Sequence, residues 1–258
     1  MDYEIYKTKP LLKKKILLSG SNGFIGSSFY KYFYKSFEII RIKINYNSKN
    51  FKNEFFENLP DKQIDYYFHF SFEKNRFNRK YDFININSIP VIIESLKIKY
   101  NKIIIFYIST SNVLLLNYYD KYTHTKAIVE NLLSNINDVS IIRFPLVRFN
   151  KKYGDEKKFE KLINFFPFFS LIPYKGSRIN YISLENLMLE FEKILNLEIR
   201  KTYNINSNNY IHLYNIAENL AKKRKFYINI DNKLSIFLKY ISPAFLSVDY
   251  EVYLKNKK

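Results

Sequence analysis

The chain has 258 residues, 47% of them hydrophobic and 26% charged, a balance that excludes global disorder and supplies a core for one large domain, alone or with a smaller lobe. It contains no cysteine and only three histidines, His69, His124 and His212, far apart in sequence, which excludes disulfides and thiolate nucleophiles and leads us to expect no metal site. The formal net charge of +18 comes from lysines dispersed along a chain also rich in Asn, Ile, Tyr and Phe, so it reads as compositional bias; a nucleic-acid partner is disfavoured, with peripheral contact to an anionic ligand or membrane surface as the alternative.

The N-terminal stretch "MDYEIYKTKPLLKKKILL" has charges around a very short apolar run and no small-residue cleavage site, so it does not read as a signal peptide. No window approaches the roughly 20 apolar residues of a membrane span, and a cytoplasmic protein is expected. Lys15–Ser19 reads as a strand, followed by a glycine-rich turn and a helix in which Ile25, Phe29 and Phe33 recur at helical spacing. Residues 37–44 and 65–70 read as further strands. An apolar helix face at 89–98 precedes a strand at 103–108, and a helix at 121–133 precedes one at 139–144. Strands alternating with helices predict βαβ units and a parallel sheet covered on both faces, a doubly wound α/β domain over 1–147. Beyond Pro145 the pattern loosens into an aromatic, proline-punctuated stretch, a helix near 184–195, the segment "TYNIN" and a helix around 213–223; residues 148–258 are expected to form a small C-terminal α/β substrate lobe.

Glycine is scarce, yet Gly20, Gly23 and Gly26 are three of the five in the chain. Between a strand and a helix, such glycines permit a sharp turn and close approach of a pyrophosphate to the backbone, and the helix N-terminus offers N–H groups to it. The stretch "SGSNGFIGSSF", spaced G-x-x-G-x-x-G, resembles the extended branch of the short-chain dehydrogenase/reductase superfamily, the nucleotide-sugar epimerases, dehydratases and reductases. The resemblance implies a Rossmann-type fold binding NADP or NAD at Gly20, Asn22, Gly23, Phe24, Ile25 and Gly26. It also implies a catalytic Y-x-x-x-K pair. Four such pairs occur, Tyr3/Lys7, Tyr122/Lys126, Tyr153/Lys157 and Tyr253/Lys257, so the motif alone decides nothing. Only Tyr122 and Lys126 follow a strand ending in hydroxyls, "IIIFYISTSNV", and lead into the family-like "KAIVENLL".

By the same resemblance Thr110 takes the place of the family's catalytic hydroxyl, and "DYYFHFS" matches His69, with Ser71 beside it. "FININSIPVIIES" matches Asn85, and "IIRFPLV" matches Arg143 and Pro145. Asn45, closing the second strand, is counted with His69, Ser71, Asn85, Lys126 and Pro145 as cofactor-binding, and Arg178 is matched to a substrate-diphosphate arginine beside Thr110 and Tyr122. Hydride transfer at a secondary alcohol needs a partner for the hydroxyl proton, and a tyrosine with an ordinary pKa of about 10 serves at neutral pH only beside a cation such as Lys126. Residues i and i+4 share one helix face.

The departures narrow the reaction. Ser111 and Asn112 follow Thr110 where family dehydratases carry Asp-Glu, which disfavours a 4,6-dehydratase. Val113, Leu114 and Leu115 replace the usual V-Y-G, and Phe72 replaces a small residue near the expected cofactor. No acid closes the second strand, while Arg41 and Lys43 stand nearby, which favours NADP over NAD. The expectation is a 4-keto-sugar reductase acting on a nucleotide-sugar substrate in surface-glycan precursor synthesis, with a 4-epimerase and a non-catalytic dinucleotide-binding regulatory protein as alternatives. The resemblance also suggests a homodimer.

Overall fold

The apolar run after Lys14 forms β1 (Lys15–Ser19), whose four last residues are buried, as expected of a strand covered on both faces. The computed structural model describes residues 13–73, 81–114, 121–148, 169–172, 178–197, 201–212 and 226–229. In chain order β1 is followed by α1 (Phe24–Phe33), β2 (Glu38–Ile42), α2 (Phe51–Glu57), β3 (Tyr66–His69), α3 (Tyr81–Lys99) and β4 (Ile104–Thr110). Then come a 3-10 turn (Ser111–Leu114), α4 (Lys121–Leu133), β5 (Val139–Phe144), β6 (Leu146–Arg148), β7 (Phe169–Ile172) and β8 (Arg178–Ser183). The described elements end with α5 (Leu184–Leu197), β9 (Tyr203–Asn204), β10 (Asn209–His212) and β11 (Phe226–Asn229). The helix expected around 213–223 lies outside the described residues.

The principal sheet has the strand order β2-β1-β3-β4-β5-β9. Its β2–β1, β1–β3, β3–β4 and β5–β9 pairings are all parallel. The chain leaves β1 for β2 on one side and returns to β3 on the other, so the order reverses between β1 and β3, the kind of switch point at which doubly wound sheets bind ligands. The expected strands at 37–44 and 65–70 are thus shorter at their ends, and the helix expected at 89–98 is the second half of α3.

Contacts divide the chain into two units, Met1–Ile108 with Asn135–Ser140, and Ser109–Ser134 with Ile141–Lys258. The first is aromatic at its centre. Phe29 of α1 lies 4.5 Å from Phe68 of β3, which lies 4.5 Å from Phe106 of β4, ring centroid to ring centroid. All three rings are wholly buried. Tilted and offset rings at this spacing fill the space that aliphatic side chains usually fill, with a favourable edge-to-face component. From α3, Ile89, Ile92, Ile93 and Leu96 are buried at helical spacing. Behind α3, buried Tyr100 donates a hydrogen bond to the Pro60 carbonyl at 2.7 Å.

In the second unit β8 is the centre of a three-stranded sheet, antiparallel to β10 and parallel to β6, with Tyr181 opposite both Asn209 and Leu146. Helix α5 buries Leu187, Met188, Phe191, Ile194 and Leu195, and Phe191 meets Phe144 of β5 edge-on at 6.2 Å. A separate pair, β7 and β11, is parallel. Among the described residues no helix is long and apolar enough to cross a membrane.

Burial, assisted by the nearby Asp61 carboxylate, pushes the Tyr100 phenol up from 10 to about 12. A folded value above the unfolded one means that the contribution of this group to stability is intact below pH 10 and is lost as the pH rises through about 12. Urea denaturation at a series of alkaline pH values is expected to show stability falling across this window, and Tyr100→Phe is expected to flatten the fall.

Candidate functional site

At the end of β1 the backbone turns through Gly20 at φ +71°, a conformation that L side chains rarely adopt. A Cβ there would sit 2.6 Å from the Phe70 carbonyl carbon and from the Ser71 nitrogen, so the position is closed both conformationally and sterically. The Gly20 carbonyl accepts a hydrogen bond from Gly23 N–H at 3.0 Å. Gly26, buried in the first turn of α1, passes so close that a Cβ on it would overlap that carbonyl, 2.9 Å from the carbon. Gly20 is therefore required by the Phe70–Ser71 peptide, and Gly26 by the Gly20 carbonyl.

The outcome is a helix N-terminus with an open approach. Gly23 is the N-cap residue, no side chain caps α1, and no acid stands in its first turn. Asn22 and Gly23 are exposed, and Phe24 and Ile25 are half-buried. A helix of 10 residues presenting its N-terminus in this way favours a phosphate group.

Below the turn lies a buried polar cluster. Tyr67 OH donates to Ser19 Oγ at 3.0 Å and lies 2.8 Å from His69 Nδ1, while Ser19 Oγ is 3.2 Å from the same nitrogen. Tyr46 OH is 3.5 Å from His69 Nε2 and also hydrogen-bonds Ser71. The His69 ring stacks on Tyr107 at 5.8 Å. Desolvation drives both phenols up, with Ser71 opposing the rise at Tyr46 and the nearby Tyr46 adding to the rise at Tyr67. His69 is thus held between two phenols from opposite sides of its ring. Asn85 of α3 engages the Glu73 backbone twice, accepting from Glu73 N–H at 3.0 Å and donating to Glu73 C=O at 3.1 Å, which ties the segment after β3 to α3. Asn45 is exposed just beyond β2. The Arg41 guanidinium, one of the two cations behind the NADP expectation, packs 4.7 Å from the Tyr30 ring.

In the second unit Thr110 ends β4, half-buried, and its Oγ1 accepts from Asn112 N–H at 3.3 Å. That bond occupies a lone pair and leaves the hydroxyl proton to donate. Tyr122 and Lys126 stand in the first turns of α4, one turn apart. Tyr122 is 36% exposed, whereas Lys126 is only 3% exposed, and its Nζ lies 5.8 Å from the centre of the Tyr122 ring. Further along, the Glu130 carboxylate takes the Arg143 guanidinium in a fork, Nε at 2.9 and 3.1 Å from its two oxygens and an outer nitrogen at 2.5 Å. Arg143 also reaches Asn204 Oδ1 at 3.4 Å. Pro145 is buried between β5 and β6, and Arg178 opens β8 opposite His212. Among the described residues no three His, Asp or Glu side chains gather as metal ligands.

Sequence reasoning passed over Ser19, Tyr46, Tyr67 and Glu130. Ser19 and Tyr67 sit inside continuous apolar runs that read simply as strand, and Tyr46 is one of 24 tyrosines. Glu130 had a usable signal, since it stands two helical turns beyond Tyr122, on the same face.

The fold is a doubly wound, Rossmann-type α/β fold with a glycine turn between β1 and α1. No protein-family model and no curated protein matches the chain. Solved structures match over most of its length. The dTDP-4-dehydrorhamnose reductase of Bacillus anthracis, in complex with NADP, is 11% identical and superposes with a TM-score of 0.66 over 86% of this chain and 85% of its own. The dTDP-glucose 4,6-dehydratase of the same organism, in complex with NAD, is 15% identical, with a TM-score of 0.63 over 85% of each chain. The UDP-N-acetylglucosamine 4-epimerase of Methanobrevibacter ruminantium is 16% identical, with a TM-score of 0.60 over 85% of this chain and 86% of its own. These likenesses establish the fold shared by this group of enzymes.

Gly26→Ala is expected to lower stability by about 1–3 kcal/mol, because α1 has to lift off the Gly20 carbonyl to admit the methyl group. Gly23→Ala is expected to cost less, since its Cβ would meet only the Gly20 oxygen, at 3.3 Å, from an exposed position. Urea unfolding of the two variants measures the order.

Proposed function

We propose that the chain is an NAD(P)-dependent oxidoreductase that reduces the 4-keto group of a nucleotide-activated sugar. The observation that carries this reading is the pair on α4, an ammonium buried to 3% exposure and lying 5.8 Å from the ring of a tyrosine one turn away. Most lysines of a basic protein remain in water; one that is withdrawn from it beside a phenol is suited to stabilising a phenolate. The family resemblance in the sequence and the fold shared with sugar-nucleotide reductases, dehydratases and epimerases support the same class.

In this reading Asn22, Gly23 and the first N–H groups of α1 face the diphosphate of the dinucleotide, with Phe24, Ile25 and Gly26 forming the turn of helix behind them. The fit is good, because the turn is open, uncapped and free of acids in its first helical turn. The bound nicotinamide supplies the hydride for the sugar carbonyl carbon. Tyr122 Oη donates the proton to the carbonyl oxygen, so that C=O becomes CH–OH. Thr110 Oγ1, already accepting from Asn112, donates to the same oxygen and holds it within reach of Tyr122. Lys126 stabilises the phenolate left behind, and water restores its proton through the exposed side of Tyr122. Asn85 positions the segment carrying Glu73, and Asn45, His69 and Ser71 are assigned to the cofactor, as is Pro145 by the resemblance in the sequence. Arg178 binds the substrate diphosphate. Ser111 and Asn112 put no carboxylate after Thr110, so the set has no acid-base pair there for loss of water.

Incubation with NADPH and a nucleotide-4-keto sugar is expected to oxidise one cofactor per ketone reduced. Tyr122→Phe is expected to lower kcat by about 10²–10⁴-fold while NADPH binding, followed by fluorescence, persists. Interconversion of 4-hydroxy sugars without added cofactor would replace the reductase reading by a 4-epimerase. NADPH binding with neither activity would make the chain a non-catalytic dinucleotide-binding protein.

A further inference from the structure

We infer that the cleft between α5 and the loop joining β9 to β10 is a binding site for a neutral carbohydrate, separate from the site assigned above to the nucleotide sugar. The inference does not draw on the reaction proposed there.

The cleft encloses about 570 Å³, a volume in the range of small-molecule sites, and it lies wholly in the second unit. Five amide side chains line it, Asn186 and Asn196 from α5 and Asn206, Asn208 and Asn209 from the loop and the start of β10. All five residues are exposed, and among the described residues none of these amides finds a hydrogen-bond partner. Asparagine suits neither a helix interior nor a strand, so local structure does not call for it at Asn186, Asn196 or Asn209. Compositional bias does not account for the set either, because lysine is enriched in the chain together with asparagine, yet Lys193 is the one lysine of the lining.

The charges of the cleft restrict what it can take. Lys193 Nζ donates to Glu190 at 2.6 Å, and the other oxygen of that carboxylate accepts from Tyr203 OH at 3.2 Å. With Glu192 the lining carries two carboxylates and one ammonium, a negative balance in a chain whose formal charge is +18. A phosphate is repelled there, and a nucleotide with it. No aromatic ring lines the cleft, so a base has nothing to stack on. An uncharged molecule rich in hydroxyl groups is what remains complementary. Each amide presents an acceptor beside two donor hydrogens, and neighbouring hydroxyls of a sugar present a donor beside an acceptor. Leu189, 46% exposed, and Ile182 beneath it supply apolar contact for the C–H face of a sugar ring.

The loop is fixed from below. Ile205 N–H donates to the Arg143 carbonyl at 2.8 Å, Asn180 Nδ2 to the Ser207 carbonyl at 2.6 Å, and Asn209 N–H to Ser207 Oγ at 3.2 Å. A loop already held in place loses little entropy on binding. Asn180 stands two residues before Ile182 on β8 and so on the same face of the strand, and its Oδ1 is buried with no hydrogen-bond partner among the described residues. A buried acceptor in that state calls for a hydroxyl donor, from a sugar or from water. None of Thr110, Tyr122 and Arg178 lines the cleft.

The test is the binding of lactose, maltotriose and N-acetyllactosamine to the full chain, three neutral carbohydrates that differ in the placement of their hydroxyls, followed by saturation-transfer NMR and titrated for Kd. At least one is expected to bind, with an affinity that raising the salt to about 0.5 M leaves unchanged, since no ion pair is made. Asn196→Ala and Asn208→Ala, both at exposed positions, are each expected to weaken that binding about fivefold, the loss of one net hydrogen bond, and Leu189→Asp to abolish it. No binding of any of the three, binding that salt removes, or binding that these variants leave unchanged overturns the inference. Turnover separates it from the reaction proposed above. Asn208→Ala is expected to reduce a nucleotide-4-keto sugar with NADPH as fast as the unaltered chain, and a loss of turnover together with carbohydrate binding would merge the cleft with the substrate site and overturn the inference. Carbohydrate binding in a chain without that turnover would remove the reductase reading alone.

Discussion

The Gly20 peptide group is approached so closely, by the Gly23 N–H at 3.0 Å and by the backbone of Gly26, that the course of the chain after β1 has little freedom. With φ at +71° and Phe70 against it, Gly20 cannot carry a side chain; with the Gly20 carbonyl against it, neither can Gly26. The two restrictions together hold the first turn of α1 against the end of β1. They also leave the N-terminus of α1 without a capping side chain. The packing constraint and the capacity to receive a phosphate therefore have a common origin, since the same absence of side chains that lets the helix close onto the strand leaves its N–H groups accessible.

The two units use buried polarity differently. Around His69 the first unit places hydroxyls, Ser19, Tyr46 and Tyr67, and burial keeps both phenols protonated well beyond neutral pH. The cluster orients a ring and fixes strand ends without introducing charge. Asn85 does the same for the Glu73 backbone with a neutral amide. The second unit instead buries charges, Lys126, Glu130 and most of Arg143. Removing one partner of a buried ion pair leaves the other uncompensated, so such a set is retained or lost as a whole. Neutral hydrogen bonds suit a scaffold that has only to keep its shape, whereas buried charges suit a site in which a proton has to move.

Much of this was legible in the sequence, for reasons that differ from element to element. The strand, turn and helix at residues 15–33 stood out because glycine is so rare elsewhere, and β3, β4 and β5 because runs such as "IIIFYIS" have no polar face to show to water. The sheet β10-β8-β6 was not legible, since its strands are short and it mixes parallel and antiparallel pairing that only the register of Tyr181 with Leu146 and Asn209 reveals. Tyrosine was the main obstacle. Tyr66, Tyr67 and Tyr107 are at most 2% exposed and belong to the core, while Tyr122 is 36% exposed, and nothing in their composition or frequency separates them. Position along the fold, after a hydroxyl-bearing strand and at the start of a helix, was what distinguished Tyr122. Arg41, which with Lys43 favoured NADP in the sequence, packs its guanidinium 4.7 Å from the Tyr30 ring.

Lysine poses the same problem in a stronger form. With 42 basic residues against 24 acidic ones, positive charge carries almost no information about where this protein acts. Lys52, Lys62 and Lys193 are paired with acids, yet their side chains remain 55%, 45% and 62% exposed, and such pairs contribute little. Lys126 differs in being withdrawn from water in a chain with abundant surface on which to leave a cation. Desolvating an ammonium costs free energy that packing alone does not return, so the helix that buries it has to offer something that favours the charge. The ring of Tyr122 supplies part of that through its negative face. The neighbouring Glu130 carboxylate, itself buried, is engaged by the Arg143 guanidinium. In a basic protein, then, the informative quantity is burial: a cation taken out of water, as Lys126 is on α4, says more than one left on the surface.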